Sequence, residues 1–128
     1  MFHFIQTRAK AISYALEGWW YVLRTQRNTW VHASVSIAVI VVCFWLGLST
    51  QEWAIIIFTI ALVWAAEFFN TSLEVLADLV QPDEDPLVKI SKDVSAAAVL
   101  ITAGTSIIIG ILIIGPPLWA KLQLLLGR

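Results

Sequence analysis

The chain has 128 residues, of which 59% are hydrophobic and only 13% charged. Soluble domains carry roughly 25% charged residues, so this balance excludes an ordinary water-soluble globule and indicates an integral membrane protein. The net charge of −1 argues neither way about nucleic acid, but no basic cluster interleaved with aromatics is present, which sets it aside as a partner.

Residues 4–25 predict an amphipathic helix. Ile5, Ala9, Ile12, Leu16, Trp20 and Leu23 recur at helical spacing, and Thr7, Lys10, Tyr14 and Glu17 take the other side. The segment is too polar to span a bilayer but suits a helix lying in the interface, apolar face down. The first ten residues hold no continuous apolar run and no small-residue cleavage site, so no signal peptide is expected. Residues 30–48, WVHASVSIAVIVVCFWLGL, read as a first span without formal charge; Cys43 within it reads as a small apolar filler. A short loop, Ser49-Thr50-Gln51-Glu52, leads to a second span over residues 53–80. The run Gln81-Pro82-Asp83-Glu84-Asp85-Pro86 breaks it, because proline lacks an N–H and disfavours helix at the preceding residue. A third span is expected over 94–114, stopped by Gly115-Pro116-Pro117, with a short amphipathic tail resting on the membrane surface. The expected fold is all-α: one membrane domain over 1–128, with an interfacial helix and three transmembrane helices.

Basic residues orient these spans. Arg8, Lys10, Arg24 and Arg27 precede the first span, the first loop has none, and Lys89 and Lys92 precede the third. Only Lys121 and Arg128 fall on the opposite side. The positive-inside rule then puts the N-terminus of this multi-pass chain in the cytoplasm and the C-terminus outside. Trp19, Trp20, Tyr21 and Trp30 would mark the inner interface, and Trp45, Trp53 and Trp119 the outer one.

The second span carries Glu67, Asn70, Glu74 and Asp78 in otherwise lipid-compatible sequence. A carboxylate in hydrocarbon costs about 2.5 kcal/mol or more unless paired, hydrated or protonated, and such groups are usually functional. At about 100° per residue, positions 67, 70, 71, 74 and 78 fall within an arc of roughly 100°, so one stripe of the helix is polar. Glu67 lies roughly 20 Å below Trp53 at 1.5 Å per residue, and Glu74 and Asp78 reach the inner boundary. Lys92 and Asp93, and the stretch Arg24, Gln26, Arg27 and Asn28, are placed at that same depth.

Acids and a lysine gathered beside the cytosol suit phosphoryl transfer. That chemistry needs positive charge or a metal on the phosphates and a base near the attacking hydroxyl. Magnesium is commonly held by one or two carboxylates plus substrate phosphates. No P-loop or Gly-rich kinase loop is present. A non-enzymatic transporter or channel subunit, with Glu67 as coupling acid, is the alternative. It would be expected to continue polar groups through the outer half, which is apolar here. Lys92 can also be read as a headgroup anchor, and Asp93 as the N-cap or a first-turn acid of the third span. His32 reads as an interfacial or packing residue, and Ser95, Ala96, Ala97 and Ala98 as small residues for close helix packing.

The series Glu67-Phe-Phe-Asn70-Thr-Ser-Leu-Glu74-Val-Leu-Ala-Asp78 resembles the E-x-x-N-[ST]-x-x-E-x-x-x-D signature of the prokaryotic diacylglycerol kinase family, which includes the undecaprenol kinases. Lys92-Asp93 resembles that family's K-D element, and Tyr14–Gly18 and Thr25–Asn28 look like the N-terminal elements of its undecaprenol kinase branch. The resemblance implies a homotrimeric lipid kinase using ATP and magnesium, with active sites between subunits at the cytoplasmic boundary. It implies undecaprenol or diacylglycerol as acceptor. It makes Glu67 the general base and Glu74 a magnesium ligand, with Asn70, Asp78, Lys92 and Asp93 lining the nucleotide site. One position departs from the pattern. Where the family often has a second metal-binding Glu, this chain has Gln26, a weaker ligand. Gln26 then coordinates through its carbonyl oxygen, or an Asp and water compensate, or the protein is a weakly active nucleotide-binding relative. The turn Asp83-Glu84-Asp85 also departs from the Tyr- and His-containing turn of many relatives.

Overall fold

The computed structural model describes residues 2–127 and contains four helices. They are α1 (Phe2–Thr25), α2 (Arg27–Leu46), α3 (Thr50–Val80) and α4 (Pro86–Leu125). Arg128, counted above among the basic residues, and the side chain of Ile5 lie outside the described residues. The last three helices are each long and apolar enough to cross a membrane. At 1.5 Å per residue α3 and α4 run about 46 and 60 Å, well beyond a hydrocarbon core of about 30 Å. The α3–α4 hairpin therefore extends past the apolar layer.

Each helix end has a local cause. A single extended residue, Gln26, separates α1 from α2, with φ −102° and ψ 115°. Gly47 ends α2 in the left-handed region at φ 73°, where a residue without Cβ is favoured, and its N–H donates to the Cys43 carbonyl. Ser49 then starts α3 with a capping box: its hydroxyl accepts from the Glu52 N–H, and the Glu52 carboxylate accepts from the Ser49 N–H at 2.7 Å. Asp85 caps α4 by accepting from the Leu87 and Val88 N–H groups, followed by Pro86 at the first helical position.

Two expectations for the last helix are corrected. It begins at Pro86 rather than near residue 94, so Asp85 is the cap and Asp93 lies two turns inside. It also continues through Pro116 and Pro117 to Leu125 instead of stopping at Gly115. The two prolines deprive the Leu112 and Ile113 carbonyls of their helical partners. In apolar surroundings uncoiling would leave more backbone groups unsatisfied than these two, so a continuous helix is the cheaper state. The segment expected as a separate surface tail is thus the end of α4. There Lys121 donates to the Trp45 carbonyl and lies 4.7 Å from the Trp45 ring centroid, tying α4 to the C-terminus of α2.

Helix α1 docks by its C-terminal half. Val22 is buried, and the Trp19 ring lies 4.8 Å from that of Trp64 and 4.7 Å from that of Phe68, both on α3. Ile12, Leu16 and Trp20 remain exposed, an uncovered apolar stripe of the kind an interfacial helix presents to lipid. The packed stripe of α3 runs Ile56, Thr59, Val63, Glu67, Asn70 and Thr71. Its upper part is mostly apolar and its lower part polar, and α2 and α4 close over it. Helix α4 buries none of its residues within the chain, which leaves its apolar faces for lipid or another subunit.

Candidate active site

Glu67 sits where the packed stripe of α3 turns polar. It is 2% exposed and lines a cavity of about 390 Å³ between the start of α2, the lower half of α3 and α4. The same cavity takes in Gln26, Asn28, His32, Asn70 and Glu74. His32 Nε2 lies 3.8 Å from Glu67 Oε2. Position 32 lies three residues after the buried Thr29 of α2, and its side chain meets Glu67 of α3. Thr71 turns its hydroxyl back to the Glu67 carbonyl at 2.9 Å, so it braces the backbone and leaves the carboxylate alone.

Glu74, two turns below, is held by amides. Asn70 Nδ2 donates to its Oε1 at 3.0 Å and Gln26 Nε2 to its Oε2 at 3.3 Å. The break between α1 and α2 makes the second contact possible: an extended residue at 26 throws its side chain across to α3. Asn70 in turn accepts from Ser95 Oγ of α4 at 2.7 Å, and Ser95 also reaches the Lys92 carbonyl at 2.9 Å. A chain of polar contacts therefore joins all three elements: Gln26, Glu74, Asn70, Ser95. Ser95 had no sharper role in the sequence than close packing. Its hydroxyl among alanines, one turn after Lys92, was the available signal.

A second compartment of about 670 Å³ lies at the end of the hairpin. It is walled by Asp78, Lys92 and the turn from Gln81 to Pro86. Lys92 Nζ donates to Asp78 Oδ1 across the hairpin. Asp93 is not brought to either compartment. Its carboxylate pairs with Lys89 at 2.6 Å on the exposed side of α4, an i,i+4 pair worth about 0.3–0.5 kcal/mol.

The donor set can hold a hard cation only in part. Among the described residues no three His, Cys, Asp or Glu side chains gather as a cage. Glu74 nevertheless fits magnesium in the manner of nucleotide sites, one carboxylate completed by phosphate oxygens. Each of its oxygens accepts one amide N–H and keeps a second lone-pair site. Turning the Gln26 amide about its last bond would present Oε1 in place of Nε2, since the two ends are alike in shape.

These features define a class: an all-helical membrane protein with carboxylates and a lysine assembled at one end of its spans. The model of the prokaryotic diacylglycerol kinase family matches residues 13–114. The undecaprenol kinase of Bacillus subtilis is 39% identical over 109 residues, covering 85% of this chain and 89% of that protein. The diacylglycerol kinase of Synechocystis sp. is 39% identical over 106 residues, covering 82% of this chain and 61% of that protein's length. The chain belongs to the prokaryotic diacylglycerol kinase family.

Proposed function

We propose that this lipid kinase transfers the γ-phosphate of ATP to undecaprenol, with diacylglycerol as the second acceptor to be weighed. The observation that carries the reading is the buried Glu67 carboxylate in one cavity with Glu74 and Asn70, with Asp78, the partner of Lys92, one further turn along α3. The undecaprenol kinase of B. subtilis, matched over most of its length, favours the polyprenyl alcohol.

In this reading the acceptor hydroxyl gives its proton to Glu67 as its oxygen bonds to the γ-phosphorus. The bond from that phosphorus to the β,γ-bridging oxygen breaks, and its electron pair leaves with ADP. Glu67 then returns the proton to water. Glu74, with Gln26 beside it, would hold magnesium, which would supply positive charge against the phosphate oxygens. Asn70 keeps Glu74 in place, Lys92 supplies a further cation to the phosphates, and Asp78 holds Lys92 until nucleotide arrives. Asp93 serves the nucleotide site by turning from Lys89 towards bound ATP. The cytoplasmic N-terminus, placement in a bacterial inner membrane and a homotrimer with sites between subunits complete the proposal. The charge asymmetry of the loops supports the orientation, and the uncovered faces of α4 leave room for neighbouring subunits.

The test is a panel of lipid alcohols offered with labelled ATP, followed by organic extraction. Undecaprenol should be phosphorylated at least about tenfold faster than diacylglycerol at equal membrane fraction. A preference of that size for diacylglycerol would reverse the acceptor assignment. Lys92→Met should raise the KM for ATP by about tenfold, the loss of roughly 1.4 kcal/mol from one charge-assisted contact, with a smaller effect on the KM for lipid. An unchanged KM for ATP would return Lys92 to the role of headgroup anchor.

A further inference from the structure

The proposed base needs something to aim it. Glu67 is nearly enclosed, and the described residues give its carboxylate one ion-pair partner, His32. Asn28 and Gln26 also line the cavity, but among the described residues no other side chain bonds to the Glu67 carboxylate. On α4 the cavity is lined by Ala96, Val99, Leu100 and Ala103, all apolar. On α3 itself Asn70 is engaged on both sides, by Glu74 and by Ser95. Glu74 carries the same charge as Glu67 and is held by two amides.

We propose that His32 is the positioning residue for Glu67, its imidazole Nε2 holding carboxylate Oε2 so that Oε1 is left to meet the lipid hydroxyl. This inference rests on the reading of Glu67 as base and adds a second residue to that half-reaction. The separation of 3.8 Å is longer than a hydrogen bond and within ion-pair reach only of a protonated imidazole, and such contacts commonly tighten when substrate fills the site. A carboxylate with one oxygen fixed has a single orientation to offer. With neither fixed it samples rotamers in a cavity of about 390 Å³, and productive alignment becomes a fraction of the total. His32 does not touch the phosphates in this scheme, so its loss falls on turnover and not on nucleotide binding.

The test uses the purified full chain in three forms. His32→Leu should lower kcat for lipid phosphorylation about 10- to 100-fold and leave the KM for ATP within about twofold. His32→Gln, which keeps a donor, should recover a large part of that loss; this separates positioning from simple packing. In the double variant with Glu67→Gln, the histidine change should add nothing to the loss already caused by Glu67→Gln, because groups acting as one unit are not additive. The contact also has a readout independent of turnover. The chain contains two histidines, so ¹⁵N-histidine spectra are easily assigned, and the His32 Nε2 resonance should move when Glu67 becomes Gln. Wild-type kcat in His32→Leu, full additivity in the double variant, or an unmoved Nε2 resonance would each overturn the inference. A wild-type protein that phosphorylates no lipid, while the resonance still moves, would instead overturn the assignment of Glu67 as base and leave the contact standing.

Discussion

Glu67→Gln is expected to reduce lipid phosphorylation by about 10²- to 10⁴-fold, the usual contribution of a general base. The substitution is nearly isosteric, so the packed stripe of α3 keeps its shape and the cavity its volume. An amide can still accept a hydrogen bond but cannot take the hydroxyl proton. The protein should therefore keep its thermal transition, its oligomeric state and its affinity for ATP while losing turnover. Initial rates with purified protein, measured beside a melting curve, separate these quantities. Full activity in Glu67→Gln would refute the role of base. Equal loss of activity and stability would make Glu67 a packing residue.

The second large effect concerns Glu74 and its neighbour. Glu74→Gln should raise the magnesium concentration for half-maximal activity by about two orders of magnitude and leave little turnover at millimolar metal. Asn70 and Gln26 would then face an amide, and the pair of N–H contacts at 3.0 and 3.3 Å would lose the charged acceptor that holds them. Gln26→Glu should act in the opposite direction. It sets a second carboxylate beside Glu74, which repels in the absence of metal and binds it more tightly when present. Magnesium with ATP should accordingly raise the melting temperature of Gln26→Glu by more than it raises that of the parent, since a ligand stabilises the state it binds in proportion to its affinity. No change in metal response in Gln26→Glu would mean that the side chain stays turned as an N–H donor and takes no part in metal binding.

Much of the site was legible because it lies along one helix. Glu67, Asn70, Thr71 and Glu74 could be assigned to a common face from the helical period alone, and three of the four are buried along the packed stripe. The apolar runs defined the spans for the same reason: length and hydropathy are local properties. The remainder depended on register between helices, which no spacing in the sequence sets. The contacts of Gln26 with Glu74, His32 with Glu67 and Ser95 with Asn70 cross from one helix to another. His32 reads as an interfacial or packing residue, and its approach to Glu67 stays hidden because nothing in residues 30–48 shows which face of α2 meets α3. Asp93 is adjacent to Lys92, but successive helical residues point about 100° apart, so its present pairing with Lys89 could not be read from that adjacency. The prolines at 116 and 117 misled in another way. A rule learned in water stops a helix there, whereas an apolar surrounding penalises the alternative more. One device was readable and passed over: Ser49 followed three residues later by Glu52, the capping box that starts α3.

The most direct measurement supplies purified protein in lipid with undecaprenol, magnesium and ATP labelled at the γ-phosphate, and follows where the label goes. The account predicts that label passes into the organic phase in proportion to ADP formed, that omitting magnesium stops it, and that Glu67→Gln prevents it while nucleotide still binds. Label released only as inorganic phosphate, or transferred to lipid at the parent rate by Glu67→Gln, would contradict a carboxylate-assisted transfer to a membrane alcohol.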